Sequence, residues 1–486
     1  MSQAGDDAQL RIGWAQADIT PIEPTMIAGQ FHARVAEGVR DPIMASVLAL
    51  ERGDTHVVLV GCDLVAISDE LRAAVAARLG PDGPDPAAII MNATHTHTAP
   101  EIRPKGDEPG TTAQAVGVDL DVMGIEEYVA FAGERIAEAV TQAWEGRAAG
   151  AVSYGLGYAV VGRNRRWVGT SGRATMYGNT DTPQFSHIEG YEDHSVNVLA
   201  TYDGSGALTG VVVNIACTAQ ETEGLFQISA DFWHETRVEL RRRLGEGLFV
   251  LPQASAAGDQ SPHLLWDKRA ATRMLALKGR DERTEIAHRL ADAVQEVLGW
   301  LDGTQDAAPV LRHEARTLQV PLRTLSEEDV RAAQAEAEQW RERYQAERRR
   351  LEEHPELREQ PRWYVEVTKA YRRMNWFLRV AENYERQQQE PNRPAQIHVV
   401  RLGDVAFATN PFEYYLDYGV YIKARSPAVQ TFLVQLAGPG TYVPSARSIA
   451  GGGYGSVPAS TPIGPEGGRL VAETSVEMIR RMWEGP

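Results

Sequence analysis

Two cysteines, Cys62 and Cys217, are all that the 486 residues contain, and both sit in apolar runs that read as strands. Two thiols are too few for a disulfide framework and fit a reducing compartment, so they are expected to be small buried hydrophobes. Positive charge is short as well: 49 Lys and Arg stand against 66 Asp and Glu, a formal net charge of -17. That balance disfavours a nucleic-acid backbone or an anionic membrane surface as the main partner. No stretch approaches the ~18 apolar residues of a membrane span. The opening MSQAGDDAQLRIG has neither a basic nor an apolar leader region. A soluble cytoplasmic protein is the expectation.

What is present is a mixture of periods. VLALERGDTHVVLV (47–60), VNVLATYDGSGALTGVVVNIAC (196–217) and IHVVRLGDVAFAT (397–409) each read as a β-hairpin, two β-branched runs joined across a Gly/Asp turn. Between them, 69–79, 126–146, 232–245 and 282–301 carry apolar residues at three- and four-residue spacing and are predicted helices. The fold class is therefore mixed α/β, with layered sheets and flanking helices. One segment differs in composition. Residues 326–391 are dominated by Glu, Arg, Gln and Ala, open on Ser326 and Asp329 placed as a capping pair, and break at HPELREQP (354–361). This predicts a helical hairpin inserted into a single catalytic unit formed by 1–325 and 392–486. Trp363, Val367, Ala370, Met374, Phe377, Ala381 and Tyr384 form a stripe on its second helix, expected to pack between the two helices.

Two segments carry chemistry. AAIIMNATHTHTAPE (87–101) is an apolar strand ending in His95 and His97. On a continuing strand, residues two apart share a face, so the two imidazoles are expected to converge on one point, as a metal such as zinc requires; the alternative is a polar strand terminus. LFVLPQASAAGDQSPHLLW (248–266) is a buried strand that breaks at a small-residue loop with Asp259 and Ser261. Such a break holds a hydroxyl at the mouth of a sheet, although the GxSxG elbow is missing and an ordinary Gly-Asp turn reads equally well.

In series, these pieces resemble the neutral, or non-lysosomal, ceramidase family across nearly the whole chain. The matching pieces are GWAQADITP (13–21), THTH (94–97), SAD (229–231), GDQSP (258–262), PFE (411–413) and two tyrosines twelve apart, Tyr442 and Tyr454. The resemblance implies a ceramidase-like catalytic domain. It further implies that His95, Glu413 and Tyr442 are ligands of a divalent metal, zinc in that family, and that Ser261 is the proposed nucleophile. His97, Tyr454 and Arg165 of GRNRRW (162–167) would contact the scissile group.

The chain departs from the family at the end of VVVNIAC, where the second histidine ligand should stand and Thr218 follows instead. A carboxylate from the following loop, Glu223 ahead of Glu221 and Asp231, is expected to complete the site, the alternative being that His97 moves in as ligand. The expected activity is metal-dependent hydrolysis of a small-molecule acyl amide or ester, with the absent leader and short C-terminal segment pointing away from ceramide itself. Two other readings stay open: a binding protein that has lost catalysis, and a metal-free serine esterase using Ser261.

Overall fold

A computed structural model of the chain describes residues 9–103 and 112–484. Residues 1–8, on which part of the reading of the opening segment rests, lie outside them. Among the described residues, eight strands join in one sheet in the order Phe249–Ala254, Leu208–Ile215, Ser195–Asp203, Ala148–Tyr158, Arg11–Asp18, Met44–Arg52, Thr55–Cys62, Ile89–Ala93. A second sheet runs Leu311–Pro321, Asn392–Leu402, Val405–Thr409, Gln430–Val434. All three hairpins expected from the sequence are present as antiparallel pairs.

Alternation along the strands sorts their side chains into layers. Val47, Ala49, Val58 and Val60 pack under helix Ile125–Glu145 through Ile136 and Val140, whereas their neighbours Leu48, Leu50 and Leu59 turn to the opposite face. That opposite face meets Val400, Leu402, Phe407 and Phe432 of the second sheet, whose other side (Ile397, Val399, Leu433) is covered by helix Pro465–Trp483. Val196, Val198, Val211 and Val213 lie under helices Phe232–Leu244 and Glu282–Leu298. The order is thus helix, sheet, sheet, helix, because period-two alternation supplies apolar groups to both faces of the central strands.

Among the described residues the large sheet is two four-stranded halves whose strand ladder crosses from one to the other at Arg11↔Ala149 and Ile12↔Ala148. It bends there until its two edge strands approach each other, and Asn92 Nδ2 donates to the Pro252 carbonyl at 3.2 Å. The bend brings together the ends of Ile89–Ala93 and Phe249–Ala254, which the strand order alone would hold far apart.

Helices Glu327–Glu353 and Val365–Arg386 fill the stretch expected as a helical hairpin, and Ser326 with Asp329 forms a reciprocal capping box. The hairpin docks on the loop after the first strand: Thr368 Oγ1 accepts from Ala33 N (2.9 Å), Tyr364 Oη accepts from Val35 N (3.0 Å) and Arg372 donates to the Gln30 carbonyl (3.1 Å). Its stripe does more than join the two helices. Phe377 packs with Leu325, Ala333 and Val380, and together with Arg373 and Trp376 it also walls a cavity of about 720 Å3. No helix among the described residues is long and apolar enough to cross a membrane.

Candidate active site

Within the two large sheets, three of the described strand pairs are parallel: Thr55–Cys62 with Ile89–Ala93, Leu208–Ile215 with Phe249–Ala254, and Val405–Thr409 with Gln430–Val434. The segments that follow their C-terminal ends carry His95 and His97, Thr218 to Glu223, Ser261, Glu413 and Tyr442. Loops at strand ends are free of the ladder and can aim side chains into a common space.

Beyond Ala93 the extended run stops. His95 adopts a left-handed backbone (φ 64), held by its N–H to the Leu64 carbonyl at 2.9 Å. The expected same-face convergence of His95 and His97 is therefore replaced by another geometry. The rings meet edge to face, 5.0 Å apart, and their nitrogens turn to different partners. His95 Nδ1 lies 2.5 Å from the Val65 carbonyl and donates to it, so that in the neutral ring Nε2 is an acceptor. That Nε2 faces Glu413 Oε2 at 3.3 Å, and Oε2 is buried without a hydrogen-bond partner. Two acceptors confronting each other out of water call for a cation between them. Glu413 is paired in register with Tyr442, whose hydroxyl bonds to the Glu413 carboxylate and accepts from Arg165 Nη2 at 3.2 Å. Imidazole nitrogen, carboxylate oxygen and phenol oxygen form a donor set that fits a divalent metal. Among the described residues no group of three or more His, Cys, Asp or Glu could hold one, so the fit depends on the tyrosine as third donor.

Glu223 stands apart from this pair. Its Oε2 lies 3.1 Å from His97 Nδ1 and its Oε1 3.4 Å from His263 Nε2. Although burial opposes its charge, the two imidazoles hold its carboxyl well below the usual range. The carboxylate expected to replace the missing ligand is thus occupied with two histidines. Asp231 is occupied too, accepting from the backbone of Glu221, Thr222 and Phe232 and from the Thr222 hydroxyl. Burial pushes Glu221 up to about 7.

Arg165 is 2% exposed and donates to Tyr177 Oη and Gln220 Oε1, both at 3.0 Å, and to the Gly258 carbonyl at 2.8 Å. Tyr454 packs edge to face on Tyr442 with ring centres 5.5 Å apart. His97, Arg165, Glu223, Tyr442 and Tyr454 line a cavity of about 720 Å3. Ser261 does not. It is fully buried, bonds to Tyr177 and accepts from the His263 N–H at 3.3 Å. No histidine ring bonds its hydroxyl among the described residues, and the buried Asp259 is committed to Leu416 N and Asn164 Nδ2, so a Ser-His-Asp relay is not assembled.

Two solved structures share this architecture over almost the entire chain. A ceramidase complexed with C2 superposes with a TM-score of 0.68, covering 98% of this chain and 76% of its own at 17% identity. The neutral ceramidase from Pseudomonas aeruginosa gives 0.67, covering 99% and 75% at 18% identity. The fold is neutral ceramidase-like. No protein-family profile and no curated protein matches the sequence.

Within this ceramidase-like fold, the residue that sequence reasoning passed over is Gln220. Its Oε1 accepts from Arg165 and from Thr218 Oγ1 (2.9 Å), and its Nε2 lies 2.6 Å from His97 Nε2. His97 is held neutral, lowered to about 4 chiefly by burial, with its proton on Nδ1 towards Glu223. An amide suits this position because it offers an acceptor to a cation and a donor to an imidazole at once. The available signal was its place two residues after Thr218, where a side chain on the same loop can reach the same neighbours. Arg34 was also missed. It is buried and donates to the carbonyls of His97, Ala28, Glu223 and Leu225, tying the Glu223 loop to the histidine segment. Gly29 (φ 98) leaves room for the His97 ring, which a Cβ there would meet at 2.4 Å.

Proposed function

We propose that this protein is a hydrolase that cuts an amide or ester bond with the help of one divalent metal, zinc by the chemistry of the donors, held by His95, Glu413 and Tyr442. The observation that carries the proposal is the confrontation of His95 Nε2 and Glu413 Oε2 at 3.3 Å, the latter buried with no hydrogen-bond partner, beside a cavity large enough for a small-molecule substrate. Both structural neighbours are ceramidases, which supports an amide as the bond cut. A metal in this place supplies Lewis acidity to the scissile carbonyl and to the attacking oxygen.

The chain's own residues do the rest. Arg165, fixed by Tyr177, Gln220 and Gly258, keeps a guanidinium beside Tyr442 where negative charge grows on the carbonyl oxygen. Tyr454 offers a hydroxyl from the same wall. His97, neutral and protonated on Nδ1, orients the reacting group and passes no proton through Nε2 while Gln220 occupies it. Water is the favoured nucleophile over an acyl-serine route, because Ser261 is fully buried and off the cavity wall. The natural substrate is an acyl amide or ester other than ceramide. Charged Asp329, Glu336 and Arg373 of the helical hairpin stand in the cavity wall among apolar neighbours, which suits a substrate with a polar or charged end. A cytoplasmic location accords with the two buried free thiols.

The test is metal content of the purified protein together with turnover of activated acyl esters and amides, in wild type and in His95→Ala and Glu413→Ala. About one metal per chain, lost in both variants along with turnover, is the expected result. A second reading, a ceramidase-fold binding protein without catalysis, is favoured by Thr218 in the place of a second histidine. Metal-free wild type that turns over none of these substrates would establish it.

A further inference from the structure

On the cavity wall beyond Tyr442 and Tyr454 stands a cation with no carboxylate partner. Arg373 lies over the Phe31 ring, its guanidinium carbon 3.6 Å from the ring centre, and 5.3 Å from that of Trp376. Its Nε is buried with no hydrogen-bond partner, and among the described residues it forms no ion pair. Phe31, Trp376 and Tyr454 form one aromatic cluster, with ring centres 5.3 to 5.9 Å apart, and Tyr454 is the ring that touches Tyr442. The guanidinium thus stands across one aromatic wall from the reacting centre.

The acids on the same cavity do not neutralise it. Glu223 is engaged by His97 and His263, Asp329 serves the capping box of its own helix by accepting from Ser326 N and Oγ, and Glu336 is exposed at the rim. Arg165 and Arg173 add two further guanidiniums to the lining. Arg373 is half-buried, and burying its Nε without a partner carries a cost that a ligand bound at the guanidinium would help to offset. Cation–π contact with Phe31 and Trp376 offsets part of that cost and leaves the planar N–H fork free for a carboxylate, which it matches in a bidentate pair.

We propose that the cavity selects substrates bearing a carboxylate, bound by Arg373 across the Phe31–Tyr454–Trp376 cluster from the scissile bond. This deepens the hydrolase assignment above and rests on it for turnover, not for binding. The carboxylate can belong to the amine half of the substrate, as in an N-acyl amino acid, or to the acyl half, as in the monoamide of a dicarboxylic acid. Either way the bond cut is the same, with water adding to the carbonyl carbon and the amine leaving protonated.

The experiment compares hexanoylglycine, the mono-butylamide of glutaric acid and neutral N-butylhexanamide as substrates of wild type, Arg373→Gln and Arg373→Lys. At least one anionic amide should exceed the neutral one about tenfold or more in kcat/KM, mostly through KM. The ratio should fall to about one in Arg373→Gln and be partly retained in Arg373→Lys. Whichever anion is preferred identifies the half that carries the charge. Equal or better use of the neutral amide by wild type, or an unchanged ratio in Arg373→Gln, overturns the proposal. If no amide is turned over, the hydrolase assignment is what has failed. Calorimetric binding of hexanoylglycine then decides: about tenfold weaker binding in folded Arg373→Gln supports the anion site, and equal or absent binding to both proteins overturns it. Should neither variant fold, the wild-type preference between charged and neutral amides, in turnover or in binding, decides by itself.

Discussion

Gln220 turns its amide nitrogen to Nε2 of His97, 2.6 Å away, while its carbonyl oxygen accepts from Arg165 at 3.0 Å. One side chain therefore sets both the tautomer of an imidazole and the aim of a guanidinium. Gln220→Met keeps the length and removes both bonds. Activity on acyl esters should fall roughly 10- to 100-fold with metal content unchanged, since groups that orient site residues have effects of that order. Steady-state kinetics and metal analysis of the variant check it, and loss of metal would mean that Gln220 supports the ligands themselves.

Ser261→Ala separates the two routes of attack. With water as nucleophile, turnover should stay within about tenfold of wild type, the loss reflecting the bond to Tyr177 that helps hold Arg165. A drop of ~10³-fold or more in kcat, with fold and metal retained, would instead assign the attack to the serine hydroxyl.

The strand end at Thr218 lies directly beside the histidine segment, with Ala219 N donating to the Thr94 carbonyl at 3.1 Å. Thr218→His should therefore supply a further imidazole and strengthen zinc binding by about tenfold or more in a chelator competition. Glu223→Gln should change that affinity little, because its carboxylate faces His97 and His263. Marked metal loss in Glu223→Gln would put Glu223 back among the ligands.

A pH effect on stability is expected far from the site. His313 Nε2 and His398 Nδ1 are 3.0 Å apart in stacked rings, and burial first, then His313 and Arg72, lower His398 to about 3. The unfolded chain takes up this proton near 6.5 and the folded chain does not, so stability is lost as pH falls from about 6.5 towards 3. The slope is ~1.4 kcal/mol per pH unit for one such group. Urea melts at pH 7 and pH 5 should show a smaller difference for His398→Asn than for wild type; an equal difference would place the acid sensitivity elsewhere.

The hairpins and the helices at 126–146, 232–245 and 282–301 were legible because each carries one clean period over its whole length. Strand Ala148–Tyr158 was not. Its AAGAVSYGLGY is small where a strand would be β-branched, since Val297 of the covering helix sits where a Cβ at Gly155 would lie, 2.6 Å away. At the site, His95, Glu413, Tyr442 and Arg165 could be named from motif order, and they are brought together. The partners of Glu223 could not. Which imidazole a carboxylate meets depends on the left-handed turn at His95 and on the Arg34 clamp, and neither leaves a local pattern in the chain.

The narrow join at Arg11↔Ala149 and Ile12↔Ala148 has a consequence for the order in which the molecule assembles. Each half of the large sheet can collapse under its own helices, but the donors proposed for the metal meet only after the halves have bent together and the second sheet has docked with the Glu413–Tyr442 pair that follows its strands. Closing such distant segments is entropically slow and comes late. Recovery of metal binding during refolding should therefore lag behind the return of secondary structure, and an isolated N-terminal half would carry His95 without a partner to share a cation.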